Sequence, residues 1–129
     1  MIINTPFDYK PLSRESENGL RKYNTPDGKK LISVTTILSA LKDNTHLDKW
    51  RLSVGHEKAD QIRDEASAIG TAMHLNLENY IFGKPMTGII LSQILAKLII
   101  KYGLSSVDIV WGSEVAVYSA GLYLSLIHI

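Results

Sequence analysis

The apolar residues between Glu57 and Phe82 recur at helical spacing, and no other stretch constrains the chain so tightly. Ala59, Ile62, Ala66 and Ile69 follow one another at steps of three and four, and Met73, Leu77 and Ile81 continue the series. Gly70-Thr71 falls between the two sets and predicts either two helices, with Thr71 as a cap, or one kinked helix. Gly83-Lys84-Pro85 ends the run with residues that cannot continue it.

Around this segment the patterning alternates between helix and strand. Residues 1–19 carry Pro6, Pro11, Ser13, Ser16, Asn18 and Gly19 without a sustained period and are expected to form an irregular leader. Leu20-Arg21-Lys22-Tyr23 and Lys30-Leu31-Ile32 read as two strands joined through Asn24-Thr25-Pro26-Asp27-Gly28. Proline presets φ there, and Asp-Gly tolerates the positive φ of a reversal. Ser33-Val34-Thr35-Thr36 opens a helix through Ile37, Leu38 and Leu41 that ends near Asp43-Asn44, with Ser33 or Thr35 as its cap. A further helix over 46–52 would turn Leu47 and Trp50 inward. Ser92 to Tyr102, apolar on more than one face, predicts a buried helix closed by Gly103. Val107 to Tyr118 is β-branched and aromatic, and predicts two strands or one strand bulged at Gly112-Ser113. The class is therefore α+β.

Composition narrows the functions. The chain has 129 residues, 45% of them hydrophobic, which suits one domain's worth of core. Fourteen Lys and Arg against 13 Asp and Glu leave a formal charge of +1, so any nucleic-acid binding needs a local patch rather than bulk charge. The absence of cysteine excludes disulfides, thiolate zinc sites and a cysteine nucleophile. No signal-peptide order is visible at the N-terminus, and the apolar stretch Ile89 to Ile100 is shorter than the roughly 20 residues a bilayer needs. Dinucleotide, P-loop, nucleophile-elbow and zincin motifs are all missing.

Three groups of residues invite chemistry. In Gly70-Thr71-Ala72-Met73-His74-Leu75-Asn76-Leu77-Glu78, His74 and Glu78 stand four apart and share a helix face, with Gly70 one turn earlier. An imidazole and a carboxylate so placed suit a divalent cation of the magnesium or manganese type, given further oxygen ligands; they equally suit a surface pair, or a histidine filling a polar gap in the core. Glu114 stands in an apolar strand, as a metal-side carboxylate or as an outward edge charge. Lys49-Trp50-Arg51 offers phosphate contacts and a stacking ring, or a solvated face with Trp50 in the core.

The order of these segments resembles one family. Tyr23-Asn24-Thr25-Pro26-Asp27-Gly28, Ser33-Val34-Thr35-Thr36-Ile37-Leu38, Trp50-Arg51, Gly70-Thr71-x-x-His74-x-x-x-Glu78, and Gly112-Ser113-Glu114 through Val117-Tyr118-Ser119 resemble the N-terminal half of a PD-(D/E)XK nuclease. The branch is RecB-like and includes phage exonucleases and the mitochondrial genome maintenance exonuclease. The resemblance covers residues 20–123. It implies an α/β sandwich with a restriction-endonuclease-like core around a small mixed sheet, and DNA, single-stranded or with free ends, as substrate. It also implies Mg2+ or Mn2+ as cofactor in the complete protein and a bacterial or phage-infected cytoplasm as location. Carried over residue by residue, His74 is the metal-coordinating imidazole, Glu78 an acidic position of the same helix, and Glu114 a supporting carboxylate. Ser33 and Thr35 would lie near the bound strand, as would Trp50 and Arg51.

The departure from the family lies downstream. There, an aspartate and a D/E-x-K complete the metal site and activate water. Asp8-Tyr9-Lys10 and Asp27-Gly28-Lys29 fit by letter but precede His74, and no acidic residue follows Glu114. Leu124-Ser125-Leu126-Ile127-His128-Ile129 resembles a translated sequencing-adaptor read-through, so residues 124–129 are expected to be non-native. The expectation is a metal-dependent exonuclease fragment that is inactive as written; a non-catalytic DNA-binding or assembly module is the alternative.

Overall fold

The computed structural model describes residues 1–4, 6–119 and 123–127. Among them the chain is α+β, with four helices and with strands in three separate sheets of two, three and two strands. The single mixed sheet implied by the resemblance is not drawn among these strands. No helix of the described residues is long and apolar enough to cross a membrane. The chain divides into two compact units, one from residues 1–3 and 44–110, the other from residues 4–43 and 111–129.

In the first unit, β1 (Ile2–Ile3) pairs in parallel with β5 (Ile109–Val110). Between them in sequence run α2 (Thr45–Val54), α3 (His56–Ile81) and α4 (Ile90–Tyr102). Gly55 alone separates α2 from α3; its φ of +86° turns the chain where other residues would be strained. The segment around Gly70 does not break: α3 is one uninterrupted helix of 26 residues, about 39 Å along its path. Its ladder of hydrogen bonds outweighs the propensity cost of one interior glycine, on the order of 1 kcal/mol. The helix stops as expected, with the Gly83 N–H bonded to the Tyr80 carbonyl at 3.2 Å and the Lys84 N–H to that of Asn79 at 2.7 Å.

The interior of this unit is built from small or terminal side chains: Ala59, Asn76, Ile81, Ser92, Ala96 and Val110. Two expectations are corrected. Leu47 and Trp50 do not turn inward but are 47% and 37% exposed. In α4 only Ser92 and Ala96 are buried, while Ile90, Leu91, Ile94, Leu98 and Tyr102 face solvent.

In the second unit, β2 (Ser13–Glu17), β3 (Leu20–Asn24) and β4 (Lys30–Ile32) form an antiparallel meander. The expected irregular leader thus contains β2 as well as β1. Asn18-Gly19 is the cause of β2: Asn18 at φ 53° and Gly19 at φ 76° make a two-residue reversal between Glu17 and Leu20, the geometry in which Asn-Gly excels. Period two then sorts the faces. Tyr23 and Leu31 are buried with Leu12 against them, whereas Glu15, Glu17, Lys22 and Lys30 share the other face. There Lys22 bonds Glu17 at 2.8 Å and Lys30 reaches Glu15 at 3.0 Å. The β3–β4 turn matches its sequence reading. The Thr25 N–H donates to the Lys29 carbonyl at 2.9 Å, the Thr25 hydroxyl bonds the Asp27 carboxylate, and Gly28 takes φ +80°.

Ser33 caps α1 (Val34–Leu41). Phe7 meets the Trp111 ring edge-on at 6.0 Å between centroids. The strand pattern is interrupted rather than bulged at Gly112-Ser113, where a Cβ on Gly112 would stand 2.9 Å from both the Tyr9 ring and Val115. β6 (Val115–Ser119) then pairs antiparallel with β7 (Tyr123–Ile127). Most of the segment expected to be non-native therefore falls on β7; His128 and Ile129, like Gly121 and Leu122, lie outside the described residues.

Candidate active site

Because α3 runs unbroken, Gly70, His74 and Glu78 recur one turn apart along one face, each step rising about 6 Å. His74 is exposed and Glu78 half-buried. A Cβ on Gly70 would meet nothing within 4 Å, so no neighbour in the chain demands a glycine there. The face therefore carries an imidazole and a carboxylate, with open space one turn earlier at Gly70. Magnesium and manganese take about six hard ligands, and among the described residues no group of three or more His, Cys, Asp or Glu is placed to hold a metal ion. Alone, the two side chains would fill only part of such a coordination sphere.

Two residues from His74, and turned about 200° around the helix, Asn76 is fully buried. Its amide donates to the Thr87 carbonyl at 3.0 Å and to Ser92 Oγ at 3.2 Å, and its oxygen accepts from the Thr87 N–H at 2.8 Å. Ser92 Oγ in turn donates to the Ile89 carbonyl at 2.6 Å. These bonds tie α3 to the start of α4 and set the backing of the His74 face. Sequence reasoning passed over Asn76, although its place on the stripe with Met73 and Leu77, an amide among apolar residues, was the available signal.

On α2, Arg51 is already engaged. Its guanidinium donates to Asp60 Oδ1 on α3 at 2.8 Å, and Arg63 reaches the same oxygen at 3.0 Å. The Asp60 carboxyl is held below its usual range, chiefly by the Arg51 hydrogen bond, with the charges of Arg51 and Arg63 acting in the same direction. Arg51 therefore joins two helices. Trp50 beside it is part exposed, and stacking on a base would need its ring face to be accessible.

Ser33, Thr35 and Glu114 belong to the other unit. Ser33 is buried, its Oγ accepting from the Thr36 N–H at 3.1 Å and lying 3.0 and 2.8 Å from the Thr35 and Thr36 hydroxyls. That hydroxyl is committed to capping α1. Thr35 is exposed and, with Arg21, Thr36 and Ser39, lines an open cleft of about 590 Å³. Glu114 stands not within a strand but just before β6, half-buried and at φ 55°, a conformation glutamate adopts at a cost of about 1 kcal/mol or more.

The structure thus brings His74 and Glu78 onto one helix face and Trp50 and Arg51 onto the adjoining helix of the same unit. Ser33, Thr35 and Glu114 lie in the second unit. Compared with family models, with curated proteins and with solved structures, the chain matches none of them.

Proposed function

We propose that this chain carries the front part of a metal-dependent DNA exonuclease, one that hydrolyses phosphodiester bonds in phage or bacterial DNA recombination, repair or replication. The observation that carries the reading is the ordered motif set culminating in Gly70, His74 and Glu78, which share one face of an unbroken helix with open space at Gly70. His74 would donate an imidazole nitrogen to Mg2+ or Mn2+, and Glu78 would orient beside it. The bound cation would neutralise charge that builds on the phosphate. The remaining carboxylates and the lysine are not among these 129 residues. A single strand or free DNA end is the substrate, in a bacterial or phage-infected cytoplasm.

One observation favours a second reading, a non-catalytic DNA-binding or assembly module: the described residues hold no cluster of three metal-ligating side chains. The two readings separate on one series of experiments. With Mn2+ and end-labelled single-stranded DNA, the 129-residue chain is expected to cut nothing. Sequencing the source DNA beyond the codon for Tyr123 is expected to reveal an aspartate and a D/E-x-K in frame. The extended protein should then cleave, and His74→Ala should abolish cleavage. An extension lacking those motifs, or cleavage indifferent to His74→Ala, removes the nuclease reading. DNA binding that weakens with salt yet survives EDTA would leave the binding module in its place.

A further inference from the structure

The α4 helix is turned with its small residues inward. Ser92 and Ala96 are fully buried, whereas Ile90, Leu91, Ile94, Leu98 and Tyr102 are 75%, 48%, 50%, 47% and 71% exposed. Four of these five, Ile90, Ile94, Leu98 and Tyr102, stand at steps of four and form one continuous ridge along the helix, with Leu91 beside it. Lys97 and Lys101 border the ridge, the Lys101 ammonium resting 4.9 Å from the centre of the Tyr102 ring. No acidic residue lies on α4. An apolar strip of this kind is costly in water and marks a contact surface.

We infer that the exposed ridge of α4 is a self-association surface and that a second copy of this chain covers it. Two arguments select that occupant. The first is geometric: ridges at steps of four interdigitate with their own kind at a crossing angle of about −50°. A two-fold axis near Ile94 sets Ile90 of one copy against Leu98 of the other, so the patch is complementary to itself, as an isologous dimer requires. The second is area. The five side chains leave about 600 Å² uncovered per copy, and with the lysine stems beside them this approaches the roughly 800 Å² that each partner contributes to a standard interface. The lysines of the two copies repel, so added salt strengthens rather than weakens the pairing. The inference does not depend on the nuclease reading.

Sedimentation of the 129-residue chain between about 1 and 100 µM tests it. The expected result is a reversible monomer–dimer equilibrium, tighter in 500 mM than in 50 mM NaCl. Ile94→Glu should weaken it by about 100-fold or more, because two carboxylates would face each other across the axis. Leu52→Glu, on a still more exposed residue of α2, should leave it intact. Helical circular dichroism unchanged in both variants keeps the comparison between folded chains. The chain has no native cysteine, so a single Ile94→Cys variant should form a disulfide-linked dimer under mild oxidation and Leu52→Cys should not. A chain monomeric at 100 µM, or association indifferent to Ile94→Glu, overturns the inference. Equal cross-linking of the two cysteine variants does so as well.

Discussion

Asn76→Ala should loosen the first unit by about 2–3 kcal/mol. The substitution removes three hydrogen bonds from a fully buried amide, each worth about 1 kcal/mol net. It also leaves a cavity the size of a carboxamide. Two effects hold the loss below the upper end of large core deletions. Thr87 is exposed, so its freed N–H and carbonyl can bond water, and Ser92 keeps its bond to the Ile89 carbonyl. Each unit contains one tryptophan, Trp50 in the first and Trp111 in the second. Urea unfolding in a Trp111→Phe background can therefore be followed by the emission of Trp50 in the first unit. A shift equivalent to less than about 0.5 kcal/mol would show that the α3–α4 connection does not rest on this amide.

Asn76→Asp makes the same point with a pH signature. Burial raises the folded pKa of the introduced carboxyl above its unfolded value. Its protonated form keeps a donor for Thr87 or Ser92, so this variant should approach native stability below the unfolded pKa. It should lose stability as the pH rises through the folded one; a pH-independent deficit would count against the bonds described.

Gly70→Ala should stabilise α3 by about 0.5–1 kcal/mol, since nothing in the chain opposes the added methyl. If DNA approaches the His74 face, the same variant should bind single-stranded DNA more weakly; lower stability would contradict the helix as described. On the β2–β3–β4 sheet, the hydrogen bond from Lys30 holds Glu15 below the usual glutamate range, and that from Lys22 does the same for Glu17. Their contribution to the sheet is therefore present above the ordinary glutamate pKa and fades as the pH falls through the folded values. Carboxyl-carbon NMR titration should place both below free glutamate, with Lys22→Gln restoring Glu17; ordinary titration of the two would refute the pairing.

Where local chemistry decides structure, the chain was legible. Thr25 to Gly28 names its own turn, Ser33 its cap, and the stop at Gly83 follows from glycine and proline. The α3 periodicity alone places His74 and Glu78 on a common face. Misreadings came where a local signal was outvoted. Gly70 looked like a break, but a helix already nucleated on both sides absorbs one glycine. Asn18-Gly19 is as strong a reversal signal as Asp27-Gly28, yet the polar run Ser13 to Glu17 concealed the strand before it, because that strand buries nothing. The neighbours of Glu114 predict a strand residue, and only the positive φ before β6 sets it apart. The metal-binding reading was the least legible of all: helical spacing can align two donors, whereas a cation needs ligands from several elements at once.

The orientation of α4 shows why hydropathy alone misjudged it. A helix apolar on several faces has several nearly equivalent ways to pack, and area favours burying Ile94 and Leu98. Asn76 removes that freedom. Its buried amide must find partners, because an unsatisfied one would cost about 1–3 kcal/mol. Ser92 is the side chain on α4 that meets it, and Ala96, one turn on, lets the two helices approach closely. Once Ser92 faces α3, the ridge from Ile90 to Tyr102 is carried to the outside by helical geometry. One polar contact thus sets the rotation of a helix at the expense of apolar burial, as a single buried asparagine sets register in a coiled coil. The surface expected to pair with a second copy is the consequence of that choice.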